Sequence, residues 1–159
     1  MVRGTVLVTG ASTGIGEATA RHLARVGFTV LAGVRRDEDG ERLAAADSRS
    51  IVPVRLDVTS PEQVAAVAAE VDRRDSHGLA GLVNNAGIAV VGPVESLPVE
   101  EWRRQLEVNL VGQVAVTRAV LPAILRARGV VGRPAQVQAL LARVLPDRAL
   151  DALLARALR

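Results

Sequence analysis

The stretch Val6-Leu7-Val8-Thr9-Gly10-Ala11-Ser12-Thr13-Gly14-Ile15-Gly16 constrains this chain more than any other. Three β-favouring apolar residues run into a glycine-punctuated turn, and an Ala- and Arg-rich helical pattern follows directly. Gly10 lets the backbone turn sharply off the strand. Gly14 removes bulk where a ligand approaches, and Gly16 allows close packing of helix on strand. The N–H groups that open the helix then point outward as an anion site. The spacing is G-x-x-x-G-x-G rather than G-x-G-x-x-G, and no Lys follows to make a P-loop. An ordinary glycine-rich strand-to-helix turn carries the same pattern, so the rest of the chain has to decide.

Behind the turn, Ile15, Ala18, His22 and Val26 mark a helix that ends at Gly27. Phe28 to Val34 is β-rich without interruption, as befits a strand covered on both faces. Residues 35–40 read as a polar loop, and a short helix is expected around Glu41 to Ala46. Ile51 to Leu56 reads as a third strand, and Pro53, which has no N–H to donate, places it at a sheet edge. Ser60-Pro61-Glu62-Gln63 opens a helix running to about Arg74, with Ser60 as cap, Pro61 at the first helical position and Gln63 completing a capping box. Gly78 and Gly81 bracket a linker into a short strand at Leu82-Val83, followed by Asn84-Asn85-Ala86-Gly87. A long helix from about Val99 to Arg128 has Glu100 and Glu101 in its favourable first turn. Strand and helix thus alternate four times. An α/β, doubly wound parallel sheet of strand order 3-2-1-4 with right-handed crossovers is the expected architecture.

Composition removes several chemistries. The 159-residue chain has no Cys, hence no disulfide, Cys-ligated zinc or cysteine nucleophile, and its two histidines make no metal cluster. It has no Tyr, and all 20 of its basic residues are Arg. No uninterrupted apolar run approaches the ~20 residues of a membrane span, and the N-terminus lacks a signal-peptide pattern. A cytoplasmic location is the expectation. Residues 1–117 hold 12 Arg against 15 Asp and Glu, whereas residues 118–159 hold 8 Arg against 2 Asp. The basic character therefore belongs to the end of the chain, where Arg at helical spacing without aromatic residues argues for a solvated helix face rather than a nucleic-acid surface. From Pro134 onward the strand pattern stops. Val137, Leu140, Leu141, Val144 and Leu145 form one apolar stripe and Leu150, Leu153, Leu154, Ala157 and Leu158 a second, so residues 133–159 are expected as an amphipathic helical tail on a domain covering 1–132.

Four motifs in order resemble the short-chain dehydrogenase/reductase family, nicotinamide-dependent enzymes on a Rossmann fold. Thr9 to Gly16 is similar to the family's cofactor turn, Leu56-Asp57-Val58-Thr59 to the segment whose Asp contacts adenine, and Asn84-Asn85-Ala86-Gly87 to the motif that steadies the central sheet and lines the cofactor. Asn109 matches the helix asparagine of the catalytic tetrad. The resemblance implies cofactor contacts from Gly10, Ser12, Thr13, Gly14, Ile15, Gly16, Asp57, Val58, Asn84, Asn85, Ala86 and Gly87. Each residue also has a physical reading. Asp57 follows a strand end, where its carboxylate can accept from an adenine amino group or cap the Ser60 helix. Asn84 and Asn85 can satisfy backbone groups where strands end. Asn109 lies mid-helix, a poor place for Asn unless its side chain or a local distortion is at work. Where the family has an acidic residue for the adenosine ribose, near Val34, this chain continues into Arg35 and Arg36, whose guanidinium groups suit a 2′-phosphate. NADP is expected over NAD.

The resemblance breaks in the catalytic segment. The family's Ser, Tyr and Lys have no counterpart, because no Ser occurs after Ser96 and Tyr and Lys are missing entirely. Asn109 is the one tetrad member that survives. The simplest account is a family sequence from which the middle catalytic segment is deleted, with a join near Gly129 to Gly132. The expectation is an oxidoreductase of a carbonyl/alcohol pair by descent, catalytically impaired, with a dinucleotide cofactor and a homo-oligomer through the long helix and the tail. A non-catalytic nucleotide-binding or protein-interaction module and an internally deleted fragment are the alternatives.

Overall fold

The computed structural model describes residues 3–45, 47–74 and 77–127. Within them the chain runs β1 (Thr5–Val8), α1 (Gly14–Arg25), β2 (Thr29–Val34), α2 (Asp37–Ala44), β3 (Ile51–Arg55), α3 (Pro61–Arg74), β4 (Leu79–Val83), α4 (Val99–Leu106), a π-helical turn (Glu107–Val111) and α5 (Gly112–Arg126). The four strands form one parallel sheet of order β3-β2-β1-β4, as the alternation requires. The join near Gly129 to Gly132 and the expected tail 133–159 lie outside the described residues.

Period-2 alternation sends side chains to both faces, and helices cover both. Leu7 and Leu31 face one side, where Val64, Val67 and Val71 of α3 and Val116, Val120 and Ala123 of α5 close over them. Val6, Val8, Val30, Ala32 and Val34 face the other, against Ala20 and Ala24 of α1 and Leu43 of α2. Leu7, Leu31, Leu43 and Leu79 are fully buried, each worth about 1.5–3 kcal/mol of transfer free energy.

Several local readings are corrected. The inward face of α1 is Gly16, Ala20 and Ala24, not the line through Ile15 and Val26, which are 80% and 37% exposed. At Gly16 an added Cβ would overlap Gly10 O and the Asn85 amide. Helix α2 starts at Asp37 rather than Glu41, because Asp37, Glu38 and Asp39 occupy its first turn, where acidic residues complement the helix dipole. Strand β4 begins at Leu79, so Gly81 lies inside it, next to an irregularity in its register with β1. The capping box on α3 is half formed: Ser60 Oγ accepts from Gln63 N (3.3 Å), but the Gln63 side chain accepts from Asp57 N (2.8 Å) instead of reaching back to Ser60. Pro53 does stand in an edge strand. No uninterrupted apolar run spans a membrane, yet the combined helix Val99–Arg126, 28 residues, is long and apolar enough by length and composition to cross one. Its apolar window is 22% buried, with Val116, Val120 and Ala123 set into the core.

Candidate nucleotide-binding site

In an open parallel sheet the crevice opens where successive connections leave in opposite directions, here between β1 and β4. A cleft of about 510 Å³ lies at that point. It is walled by Gly10, Ser12 and Thr13 after β1, Arg35 after β2, Leu56 to Thr59 after β3, Asn85 to Ile88 after β4, and Arg104, Glu107 and Val108 from the long helix.

The turn after β1 is built around absent side chains. Gly10 has φ +64°, and a Cβ there would stand 2.7 Å from Ala86 Cα. A Cβ on Gly16 would overlap Gly10 O and the Asn85 amide, so Gly16 packs on the turn and Asn85 rather than on the strand proper. Thr13 precedes α1 in an extended conformation with no side-chain cap, which leaves the first amides of α1 uncapped beside the cleft. From α2, Arg42 donates to Ser12 O and pairs with Glu17 (3.1 Å); Glu17 also receives Arg21 (2.8 Å). The Arg21 hydrogen bond and then Arg42 hold the Glu17 carboxyl below its ordinary value.

Asp57 Oδ1 accepts from Thr59 Oγ1 (2.7 Å) and Thr59 N (2.9 Å). These bonds, with a smaller contribution from the Arg35 charge, keep its carboxyl below the usual carboxylate value. Asp57 therefore closes a local turn on Thr59, while Ser60 is the residue that caps α3. Asn85 donates to Thr9 O and Gly10 O (3.0 Å each), whereas Asn84 donates to Thr117 Oγ1 (2.9 Å) on α5. Both conditions set for Asn109 are met. Its side chain accepts from Ile88 N and donates to Ile88 O (2.8 Å each), and it sits in the π turn.

The structure thus gathers Gly10, Ser12, Thr13, Arg35, Asp57, Val58, Asn85, Ala86 and Gly87 on the cleft wall. Gly14, Ile15, Gly16, Arg36, Asn84 and Asn109 are not part of that wall. Gly16 lies beneath it and Ile15 faces outward. Arg36 precedes the first turn of α2 and pairs with Asp39 (3.4 Å). Ile88, Arg104, Glu107 and Val108 join the wall beyond the expected residues, and Thr9, which opens the expected cofactor turn, has a linking role. Thr9 is fully buried, and its Oγ1 accepts from both Asn85 N and Ala86 N (2.9 Å each), joining β1 to the wall. A hydroxyl directly after the apolar run Val6-Leu7-Val8 is the signal that marks it. Arg104 and Glu107 share one helical face, at a spacing of three.

A glycine-turn crevice at the switch point of a doubly wound sheet defines the architecture of a dinucleotide fold. The sequence profile of the short chain dehydrogenase family matches residues 4–139, and the chain belongs to that family. It is 40% identical over 126 residues to dehydrogenase/reductase SDR family member 9 of Bos taurus, covering 78% of this chain and 40% of that protein. Estradiol 17-beta-dehydrogenase 2 of Rattus norvegicus is 41% identical over 130 residues, with 78% and 34% covered. Among solved structures, a short-chain dehydrogenase from Streptomyces avermitilis superposes with a TM-score of 0.71 at 39% identity, over 76% of this chain and 44% of its own. The chain therefore spans less than half the length of these relatives.

Proposed function

We propose that the chain binds a nicotinamide dinucleotide, NADP(H) ahead of NAD(H), held chiefly through the adenosine and phosphate half. The observation that carries this reading is Arg35 on the cleft wall beside Asp57, at the end of a β2 strand that offers no acidic residue. A guanidinium there suits a 2′-phosphate, which a carboxylate would repel. The donor set fits the rest of the group: uncapped α1 amides with Ser12 and Thr13 for the pyrophosphate, and Asp57 for the adenine amino group. When bound, such a cofactor supplies hydride chemistry.

By descent the reaction interconverts an alcohol and a carbonyl, as the retinol and estradiol dehydrogenases among its relatives suggest by name. This 159-residue chain has no Tyr or Lys, and no Ser after Ser96, to exchange a proton with such a substrate. A positioned acid/base is worth ~10²–10⁴-fold in rate. The reading is therefore binding without turnover. Calorimetric titration with NADPH and NADH, alongside absorbance at 340 nm over a carbonyl panel, tests it. Arg35→Ala is expected to weaken NADPH more than NADH, and Arg36→Ala to change the ratio little. Equal losses for both cofactors on Arg35→Ala refute the 2′-phosphate assignment, and steady NADPH oxidation that a Gly14→Trp variant lacks refutes the absence of turnover.

A further inference from the structure

Asn109 is one of three amides on the long helix that reach the chain behind β4. Gln105 Oε1 accepts from Val90 N (2.6 Å), Asn109 makes both bonds to Ile88, and Gln113 Nε2 donates to Ala86 O (2.6 Å). Helix positions 105, 109 and 113 thus meet residues 90, 88 and 86 in order. The spacing is compatible: four helical residues advance about 6 Å, a distance two residues of chain can span when drawn out at about 3.3 Å each.

The π turn keeps the three amides aligned. At roughly 100° per residue, eight α-helical residues overshoot two turns by about 80°. One extra residue absorbed in the wide turn Glu107–Val111 takes out about that much rotation.

We infer that Gln105 and Gln113, with Asn109 between them, form a polarised amide ladder that positions the Ala86–Ile88 wall of the cleft. Polarity is its distinguishing property. Gln105 serves as an acceptor, Asn109 as both, and Gln113 as a donor only. Gln113 Nε2 also donates to Val108 O (3.1 Å), while its buried Oε1 has no partner among the described residues. Turning the amide over would set that oxygen against two carbonyls, so the orphaned acceptor is the lesser cost. The inference rests on the nucleotide reading of the cleft, since Ala86, Gly87 and Ile88 are the part of the wall it controls.

The test uses the near-isosteric series Gln→Met and Gln→Glu at each position, at pH 8. Hydrogen exchange at the Ile88 and Val90 amides reports the wall, and calorimetry reports NADPH affinity. Met at either position is expected to accelerate exchange and weaken NADPH, each by about tenfold, the scale of one lost hydrogen bond. Glu keeps an acceptor and loses the donor, so it rescues position 105 and fails to rescue position 113. Rescue at both positions, at neither, or at 113 alone overturns the ladder, as do Met variants with wild-type exchange. Exchange that changes while NADPH affinity does not overturns the positioning role. A wild-type chain that binds neither cofactor refutes the nucleotide reading, and the exchange pattern still decides the ladder.

Discussion

Asp57 holds both hydrogen bonds from Thr59 on one carboxylate oxygen and feels the Arg35 charge beside it. A carboxyl whose native value is lowered stabilises the fold fully above its unfolded value, about 4, and loses that contribution as pH falls through the lower native value. Asp57→Asn removes the titration and keeps the acceptor. The melting temperature of the wild type is therefore expected to exceed that of the variant most at pH 7 and to converge on it below pH 4. A gap independent of pH rejects this account of Asp57. At the same scale, the sequence marks Gly10, Gly16 and Asn109 because each is costly anywhere else. It cannot separate Arg35 from Arg36. Adjacent residues in extended backbone project oppositely, and only one of the two reaches the cleft.

Helix α2 shows why element boundaries were harder to read than element order. The run Arg35 to Gly40 is polar enough for a loop, yet its acids make a good first helical turn. Hydrophobicity alone points to Ile15 and Val26 as the inward face of α1, whereas the buried residues are Gly16, Ala20 and Ala24, with Gly16 held against the turn by a close approach. The order of the elements was legible because strands covered on both faces leave continuous apolar runs. Arg42 joins α2 to the cofactor turn through Ser12 O and Glu17. With its side chain 48% exposed, that ion pair contributes less than ~1 kcal/mol to folding. Arg42→Ala is expected to leave the melting temperature within a few degrees and to weaken NADPH by about tenfold, one charge-assisted hydrogen bond. A large loss of stability with unchanged affinity would reverse that assignment.

Across the whole molecule, Leu106, Leu110, Val114, Leu121 and Leu125 stay 42–56% exposed on the long helix, and β4 is a sheet edge among the described residues. In sequence, residues 134–159 carry apolar stripes as well. Hiding several Leu side chains at ~25 cal/mol per Å² is worth several kcal/mol. A chain ending at residue 133 is expected to aggregate or to lose cooperative unfolding, as read by light scattering and thermal melts. One that stays monomeric and melts like the full chain shows the tail to be dispensable.

The two rims of the sheet are unequal. On β3, Leu56 N pairs inward with Val34 O, so Ile51, Pro53 and Arg55, on the alternate positions, face outward. The Ile51 amide is already taken by Asp47 O (3.0 Å), and Pro53 has none to give. That rim is blunt and the β4 rim is receptive. Among the described residues the β4 rim is the more open of the two, so it is the one a second copy would pair with. Pairing of β4 with β4 between two copies would be two-fold, and at these strands self-limiting.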